Sequence, residues 1–371
     1  MKTLQLLPAL EQGGVERGVV EMNRAIVGIG WSNVVVSAGG RLVSEIEAAG
    51  GRHMRLDVKS KNPFTFFARA RALGRILDME RPDVVCVHSR VPAWLFVWAN
   101  RRRKIRWISF AHGANSISRY SEVMTMGDLT VTPSSYISGY LQSAYGTAEE
   151  KIRVIPRAVD RSKFNPDSID FAFAAEMRRR WKLDGFFVIM GVGRITQLKN
   201  YDILIRAVAL LGDAYKLVIV GEAEESRKGV EESLRALSES LGVSGNVVFA
   251  GNQAKIAECL TLSDVVVSSN VTKPEAFGRS MAEALAMGRP VVARAFGGAL
   301  DIVRDGVDGV LVGSGGDYPS LFADAIRKVR AMDVLPEELS RSANERFSFE
   351  AMVEKSLSVY RELYRGGKYD E

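Results

Sequence analysis

The sequence predicts an α/β protein built from two doubly wound, parallel-sheet domains. Two observations predict it. The chain has 371 residues, long for a single core and comfortable for two. Short β-branched runs also alternate with longer amphipathic stretches, and the scheme repeats in both halves. Strands separated by helices of that length imply right-handed βαβ units, and so parallel sheets. Composition agrees, with 47% hydrophobic and 25% charged residues, the proportions of an ordinary globular chain rather than a disordered one.

Taken in order, the first half offers strands at 3–7, 33–37, 84–87, 107–110, 129–132 and 153–155. Helical patterns fall between them, among them 15–27, 63–79 and 134–143. The second half offers strands at 186–191, 215–220, 246–250, 264–268, 290–293 and 309–312. Between 158 and 185 the chain turns polar, through Asn165-Pro166-Asp167 and a basic helix at Arg178-Arg179-Arg180. The boundary is placed there. The segment 349–364 reads as an amphipathic helix with no strand after it, so it is expected to cross back to the first domain. The expected domains are therefore 1–165 with 349–371, and 166–348. No internal repeat and no low-complexity tract interrupts them.

Charge is uneven. Residues 1–166 hold 24 Lys+Arg and 14 Asp+Glu, a balance of +10, whereas the rest holds 26 and 30, a balance of −4. A basic half points to an anionic partner: a membrane, a nucleic acid or a charged glycolipid. The two cysteines, Cys86 and Cys259, lie in or beside apolar runs, too few and too far apart for a disulfide or zinc framework. A reducing cytoplasm fits them. The N-terminal apolar stretch ends at Pro8, too short for a signal-peptide core, and no apolar run approaches the roughly 18–20 residues that span a bilayer.

In open α/β sheets ligands bind outside the carboxyl ends of the strands, so the chemistry is sought there. After the first strand comes Gly13-Gly14-Val15-Glu16-Arg17, where a glycine pair opening a helix lets backbone N–H groups approach an anion. The same residues also suit a plain tight turn. Neither a P-loop Lys-Ser/Thr nor a Gly-x-Gly-x-x-Gly fingerprint is present. Two strand ends carry histidines, Val87-His88 and Ala111-His112-Gly113. The second domain opens with Gly193-Arg194-Ile195-Thr196-Gln197-Leu198-Lys199-Asn200, whose two cations suit a pyrophosphate. Most informative is Pro274-Glu275-Ala276-Phe277-Gly278-Arg279-Ser280-Met281-Ala282-Glu283-Ala284, with Met287-Gly288-Arg289-Pro290 after it. It reads as a loop, a helix begun at Gly278 and ended at Gly288, and a strand. Glu283 falls mid-helix among small apolar residues, where a carboxylate needs a partner; a ribose diol supplies two hydroxyl donors. Eight helical residues span about 12 Å, beyond the roughly 5–9.5 Å of a hydrolytic carboxylate pair. Glu275 and Glu283 therefore serve different parts of one long ligand. A third glycine loop, Phe296-Gly297-Gly298-Ala299-Leu300-Asp301, follows the next strand.

These residues resemble the retaining glycosyltransferases of family 4, which have the GT-B fold. The resemblance runs over essentially the whole chain. It is carried by Glu275-x7-Glu283, by Gly193-Arg194 with Lys199-Asn200, by Gly13-Gly14-Val15-Glu16-Arg17 and by Val154-Ile155-Pro156. It implies two Rossmann-like domains with a cleft between them and a C-terminal crossover helix. By it, Arg194 and Lys199 bind the donor pyrophosphate, Glu275 meets the donor sugar near the reacting centre, and Glu283 holds the ribose. Backbone groups of Phe277, Gly278 and Arg279 touch sugar or phosphate. The loop of Gly13, Gly14 and Arg17 lies by phosphate and acceptor, and His112 by the donor sugar. The implied reaction keeps the anomeric configuration and needs no metal or other cofactor, and the chain has no Asp-x-Asp motif. The nucleotide sugar is the substrate, a UDP-sugar first among donors, and Asn252 is a candidate for base recognition. Arg157-Ala158 stands where the family often has Asn-Gly, Asp301 where it often has Glu, and Arg279-Ser280 where apolar residues are usual. Arg157 and Arg279 are thus candidates for answering an anionic sugar or acceptor.

In this fold the first domain, here the basic one, takes the acceptor. Trp94 to Trp98 is followed by Arg101-Arg102-Arg103-Lys104, and Phe64, Phe66 and Phe67 stand beside Arg69, Arg71 and Arg75. Such aromatic and basic residues suit an anionic membrane surface, and equally a core helix face with solvated cations at its end. The expectation is a cytoplasmic enzyme, peripheral on the inner face of the membrane, acting on a cell-envelope glycan or glycolipid such as lipopolysaccharide core. A nucleotide-sugar epimerase shares the fold but has no need of this cation and carboxylate set. A dinucleotide oxidoreductase lacks its fingerprint, and no nucleic-acid reader motif is present.

Overall fold

The computed structural model describes residues 1–11, 13–223 and 228–365. They form two units: Met1–Pro156 together with the stretch from Met352 onward, and Arg157–Ala351.

The first unit is a parallel sheet of strands β1 (Lys2–Leu6), β2 (Ser32–Ser37), β3 (Arg52–Arg55), β4 (Val84–Val87), β5 (Trp107–Phe110), β6 (Leu129–Thr132) and β7 (Ile152–Val154). Their order is β3-β2-β1-β4-β5-β6-β7, doubly wound about β1 and β4. β4 is Val-Val-Cys-Val and buried throughout, the continuous apolar run that a strand covered on both faces requires. The sequence reading lacks β3, because Arg-His-Met-Arg carries no apolar alternation. It forms as an edge strand in register with β2, with Val35 opposite His53. The expected C-terminal helix spans Phe349–Arg365, and from Met352 onward it belongs to this unit. Its Tyr360 ring is fully buried, and Gln5 Nε2 on β1 donates to the Tyr360 hydroxyl at 3.4 Å.

The second unit holds β8 (Phe187–Val192), β9 (Tyr215–Val220), β10 (Val247–Gly251), β11 (Val265–Ser268), β12 (Val291–Arg294) and β13 (Gly309–Val312). All pairings are parallel, in the order β10-β9-β8-β11-β12-β13. Each of the six strands falls where the sequence placed it. Apolar clusters cover both sheet faces: Met190, Val218, Val266, Met281 and Leu285 on one, Ile189, Leu217, Val265, Phe322 and Ile326 on the other. Both cysteines are buried free thiols. No helix of the described residues is long and apolar enough to cross a membrane.

Candidate functional site

The strand ends of the second unit bring most of the expected donor-binding residues together. Gly193 follows β8, and its N–H donates to Val220 O at 2.9 Å. Gly221 then follows β9 so closely that a Cβ there would lie 2.1 Å from Gly193 O, at φ 143°. Only glycine fits that crossing of two backbones. Beyond it, Arg194, Glu222, Ala223 and Asn252 line an open cavity of about 350 Å³, with Arg194 and Asn252 exposed. Lys199 closes a short 3-10 turn, Gln197–Lys199. Asn200 after it is left-handed at φ 49°, and its Oδ1 accepts from Val271 N–H at 3.2 Å and Thr272 Oγ1 at 3.2 Å. Ser269 Oγ donates to Lys199 O at 2.7 Å. The loop after β8 is thus tied to the loop after β11 by three hydrogen bonds.

The same two loops carry the central ion pair. Lys199 Nζ contacts Glu275 Oε1, with each side chain 22% exposed. Glu275 is anchored through its carbonyl, which accepts Gly298 N–H at 2.9 Å. A Cβ at Gly298 would sit 2.2 Å from Phe277 O, so the glycine loop after β12 locks against this segment because it has no side chain. The Phe277 ring is buried, edge-on to Phe347 with centroids 5.8 Å apart, which leaves only its backbone for a ligand.

Gly278 caps the helix Arg279–Ala286, and left-handed Gly288 (φ 71°) follows its end, as the spacing predicts. Met281, Ala282, Ala284, Leu285 and Ala286 are buried. Glu283 is 15% exposed and lies 3.6 Å from Arg279 Nε, one helical turn away. Burial holds its carboxyl up to about 7, with Asp160 pushing the same way and Arg279 and Lys163 opposing. A group that is ordinarily a firm carboxylate is therefore poised between its two forms near neutrality. Asp160 and Lys163 were not singled out from sequence. They lie far away in the chain, and no local pattern marks them.

In the first unit, Gly13 caps the helix Gly14–Gly28. Arg17 on that helix is already engaged, its Nη1 donating to Glu45 Oε1 at 2.9 Å. His112 stands two residues beyond β5 and His88 one beyond β4, with His88 Nδ1 3.1 Å from His112 Nε2. His88 Nε2 is 2.7 Å from Gln5 Oε1. Gln5 was missed, although a glutamine inside Leu4-Gln5-Leu6-Leu7 is a legible signal for a buried polar link. Arg157 opens the second unit. Among the described residues no three His, Cys, Asp or Glu side chains gather as a metal site.

Comparison with known proteins fits this arrangement. Residues 12–163 match the family model "Glycosyltransferase Family 4", and residues 174–346 match "Glycosyl transferases group 1". A D-inositol 3-phosphate glycosyltransferase of Acidothermus cellulolyticus is 35% identical over 257 residues, 65% of this chain and 55% of its own length. The chain thus spans little more than half of such relatives. The crystal structure of a glycosyltransferase from Rickettsia africae superposes with a TM-score of 0.87 at 25% identity, covering 98% of each chain. That of Anabaena Alr3699/HepE in complex with UDP-glucose gives 0.78 at 20% identity, covering 98% of this chain and 100% of that one. This chain belongs to the family 4 glycosyltransferases and has the GT-B type of fold.

Proposed function

We propose that the protein is a retaining, metal-independent glycosyltransferase, moving a sugar from a nucleotide donor, a UDP-sugar first, to a cell-envelope glycan or glycolipid. The observation that carries it is the cluster at the second sheet's strand ends: Arg194, the Lys199–Glu275 pair, the helix start at Gly278–Arg279 and Glu283.

Each part has work suited to its chemistry. Arg194 and Lys199 answer the pyrophosphate, and their charge counts most as the leaving group gains its own. The N–H groups at Gly278 and Arg279 add the positive end of a helix. Ionised Glu283 accepts both ribose hydroxyls. Glu275, fixed by Lys199, and His112 serve the transferred sugar. The acceptor oxygen bonds to the anomeric carbon as the bond to phosphate breaks. The electron pair leaves with the nucleoside diphosphate, whose phosphate oxygen takes the acceptor's proton on the same face. Attack and departure on one face keep the configuration. Gly13, Gly14 and Arg17 serve phosphate and acceptor, with Arg157 and Asn252 as further contacts.

An anionic acceptor agrees with the basic first unit. Arg71, Arg75, Arg101, Arg102 and Trp98 line a cavity of about 740 Å³, and the Arg101 guanidinium lies 4.3 Å over the Trp98 ring. Phe64 is 94% and Phe67 56% exposed. Cations beside exposed aromatics support a peripheral position on the cytoplasmic face of an anionic membrane. The name of the inositol-phosphate relatives favours a second acceptor reading, a phosphorylated polyol.

The test incubates the protein with UDP-sugars in EDTA, with either an envelope glycolipid or inositol phosphate, and follows UDP release and product by NMR. Retained configuration on one of these acceptors supports the proposal. Inversion, a requirement for metal, or sugar isomerisation without acceptor overturns the corresponding part. Flotation with anionic liposomes at low salt tests the membrane reading, and no binding there removes it.

A further inference from the structure

Beside its arginine-lined cavity the first unit carries a second one, and the two share a wall. This cleft lies between the first turn of the helix Phe66–Glu80 and the helix Arg90–Asn100. It measures about 470 Å³, and Pro63, Phe66, Phe67, Val91, Trp94 and Tyr120 line it. Polar groups around it already have partners in the protein. Trp94 Nε1 donates to Tyr120 O at 2.9 Å, which ties the far wall to the second helix. Arg69 is 8% exposed, and its guanidinium donates to Ser60 O at 2.9 Å, Asn62 O at 3.0 Å and Thr65 Oγ1 at 3.1 Å. The loop that closes the cleft is therefore built before any ligand arrives. It encloses aromatic surface that an apolar chain would take out of water.

The shared wall is the ring pair Phe67 and Trp98, edge to face with centroids 5.6 Å apart. Phe67 lines the cleft, whereas Trp98 lines the arginine cavity and carries the Arg101 guanidinium. On that side Arg71, Arg75, Arg101 and Arg102 are all exposed. Asp78, the one acid among the described lining residues, is held by Arg103 through two hydrogen bonds of 2.6 Å. That pair is neutral and leaves the four other cations in place. An apolar cleft that opens beside a cation cluster, across one pair of rings, matches a hydrocarbon chain joined to an anionic head.

We propose that this face of the first unit holds one anionic phospholipid, with the end of an acyl chain in the aromatic cleft and the phosphate over the arginines. The lipid is bound as a ligand of defined stoichiometry, beyond the general attraction of a basic surface for an anionic membrane. The inference rests on the membrane position proposed above. Phe64, 94% exposed next to Pro63, is left to enter the acyl layer.

Single-chain lipids below their micelle concentration test it by titration calorimetry on the full chain. Decanoyl lysophosphatidylglycerol is expected to bind one to one. Each CH2 removed from the chain weakens binding about fourfold, so the octanoyl form binds about sixteenfold less tightly. Decanoyl lysophosphatidylcholine, whose head is neutral, binds at least about tenfold less tightly, and glycerol phosphate, which has no chain, does not bind. Val91→Trp fills the cleft without changing charge, and Phe67→Ser removes an exposed part of its wall. Each is expected to weaken the decanoyl lipid at least about tenfold while the thermal unfolding transition stays at the wild-type value. Where Val91→Trp lowers that transition, Phe67→Ser decides. Affinity independent of chain length, equal affinity for the two heads, tight binding of glycerol phosphate, or wild-type affinity in a folded variant overturns the inference. Flotation separates it from the wider reading. Wild type that floats with phosphatidylglycerol vesicles but ignores the soluble lipids keeps the membrane position and loses the lipid site. Wild type that neither floats nor binds them loses both.

Discussion

Donor affinity should depend on pH through Glu283. The ribose hydroxyls donate, so they select the ionised carboxylate, and burial holds that carboxyl up to about 7. With one group titrating there, about nine-tenths is ionised at about pH 8, half at about pH 7 and one-tenth at about pH 6. Affinity for UDP-glucose, whose pyrophosphate diester does not titrate in this range, should fall about tenfold from the alkaline to the acid end. Near pH 7, binding should release about half a proton. The folded value is raised from 4.5, the unusual direction for an acid. The native state therefore binds the extra proton, and stability is lost as pH rises from about 4.5 to about 7, by about 3 kcal/mol in all. Glu283→Gln removes both effects: the unliganded protein gains stability above neutrality, and affinity becomes flat with pH and weaker by about 2 kcal/mol at the alkaline end. Calorimetry in buffers of different ionisation enthalpy reads affinity and proton release together. A wild-type affinity independent of pH, or the same slope in Glu283→Gln, refutes the reasoning.

Other positions give separate checks. Lys199→Met removes the pyrophosphate cation and the partner of Glu275, and should weaken UDP binding about thirtyfold in titration, a charged hydrogen bond of about 2 kcal/mol. Gly298→Ala drives a Cβ into the Phe277 carbonyl and should cost about 2 kcal/mol in denaturant unfolding, with loss of donor binding alongside. Tyr360→Ala empties a fully buried site under the first sheet and should cost about 3–5 kcal/mol, which thermal unfolding reads. Arg101→Glu with Arg102→Glu should abolish flotation with anionic liposomes while leaving UDP affinity intact.

The fold was legible because parallel sheets advertise themselves. Val84–Val87 and Tyr215–Val220 are buried from end to end, and their apolar runs stand out between helical patterns. β3 did not stand out: an edge strand of Arg-His-Met-Arg is held by backbone pairing to β2, which leaves no trace in side-chain periodicity. The glycine loops and Glu275-x7-Glu283 were visible as local patterns. The links that organise them were not. The Lys199–Glu275 contact joins residues 76 apart, and the His88–Gln5 link joins residues 83 apart. Glu283 reads as a misplaced acid in the sequence. Its raised pKa is set by burial, with Asp160 adding to it against the opposing charges of Arg279 and Lys163, a property of packing rather than spacing.

Thermal unfolding in EDTA with UDP, GDP, ADP or NAD tests the central claim most directly. A ligand at a hundred times its Kd adds about 2.7 kcal/mol to the native state, a shift of several degrees. The account predicts that one nucleoside diphosphate, UDP first, raises the transition, and that Glu283→Ala abolishes the rise. Stabilisation by NAD alone, or by none of the four, would contradict it.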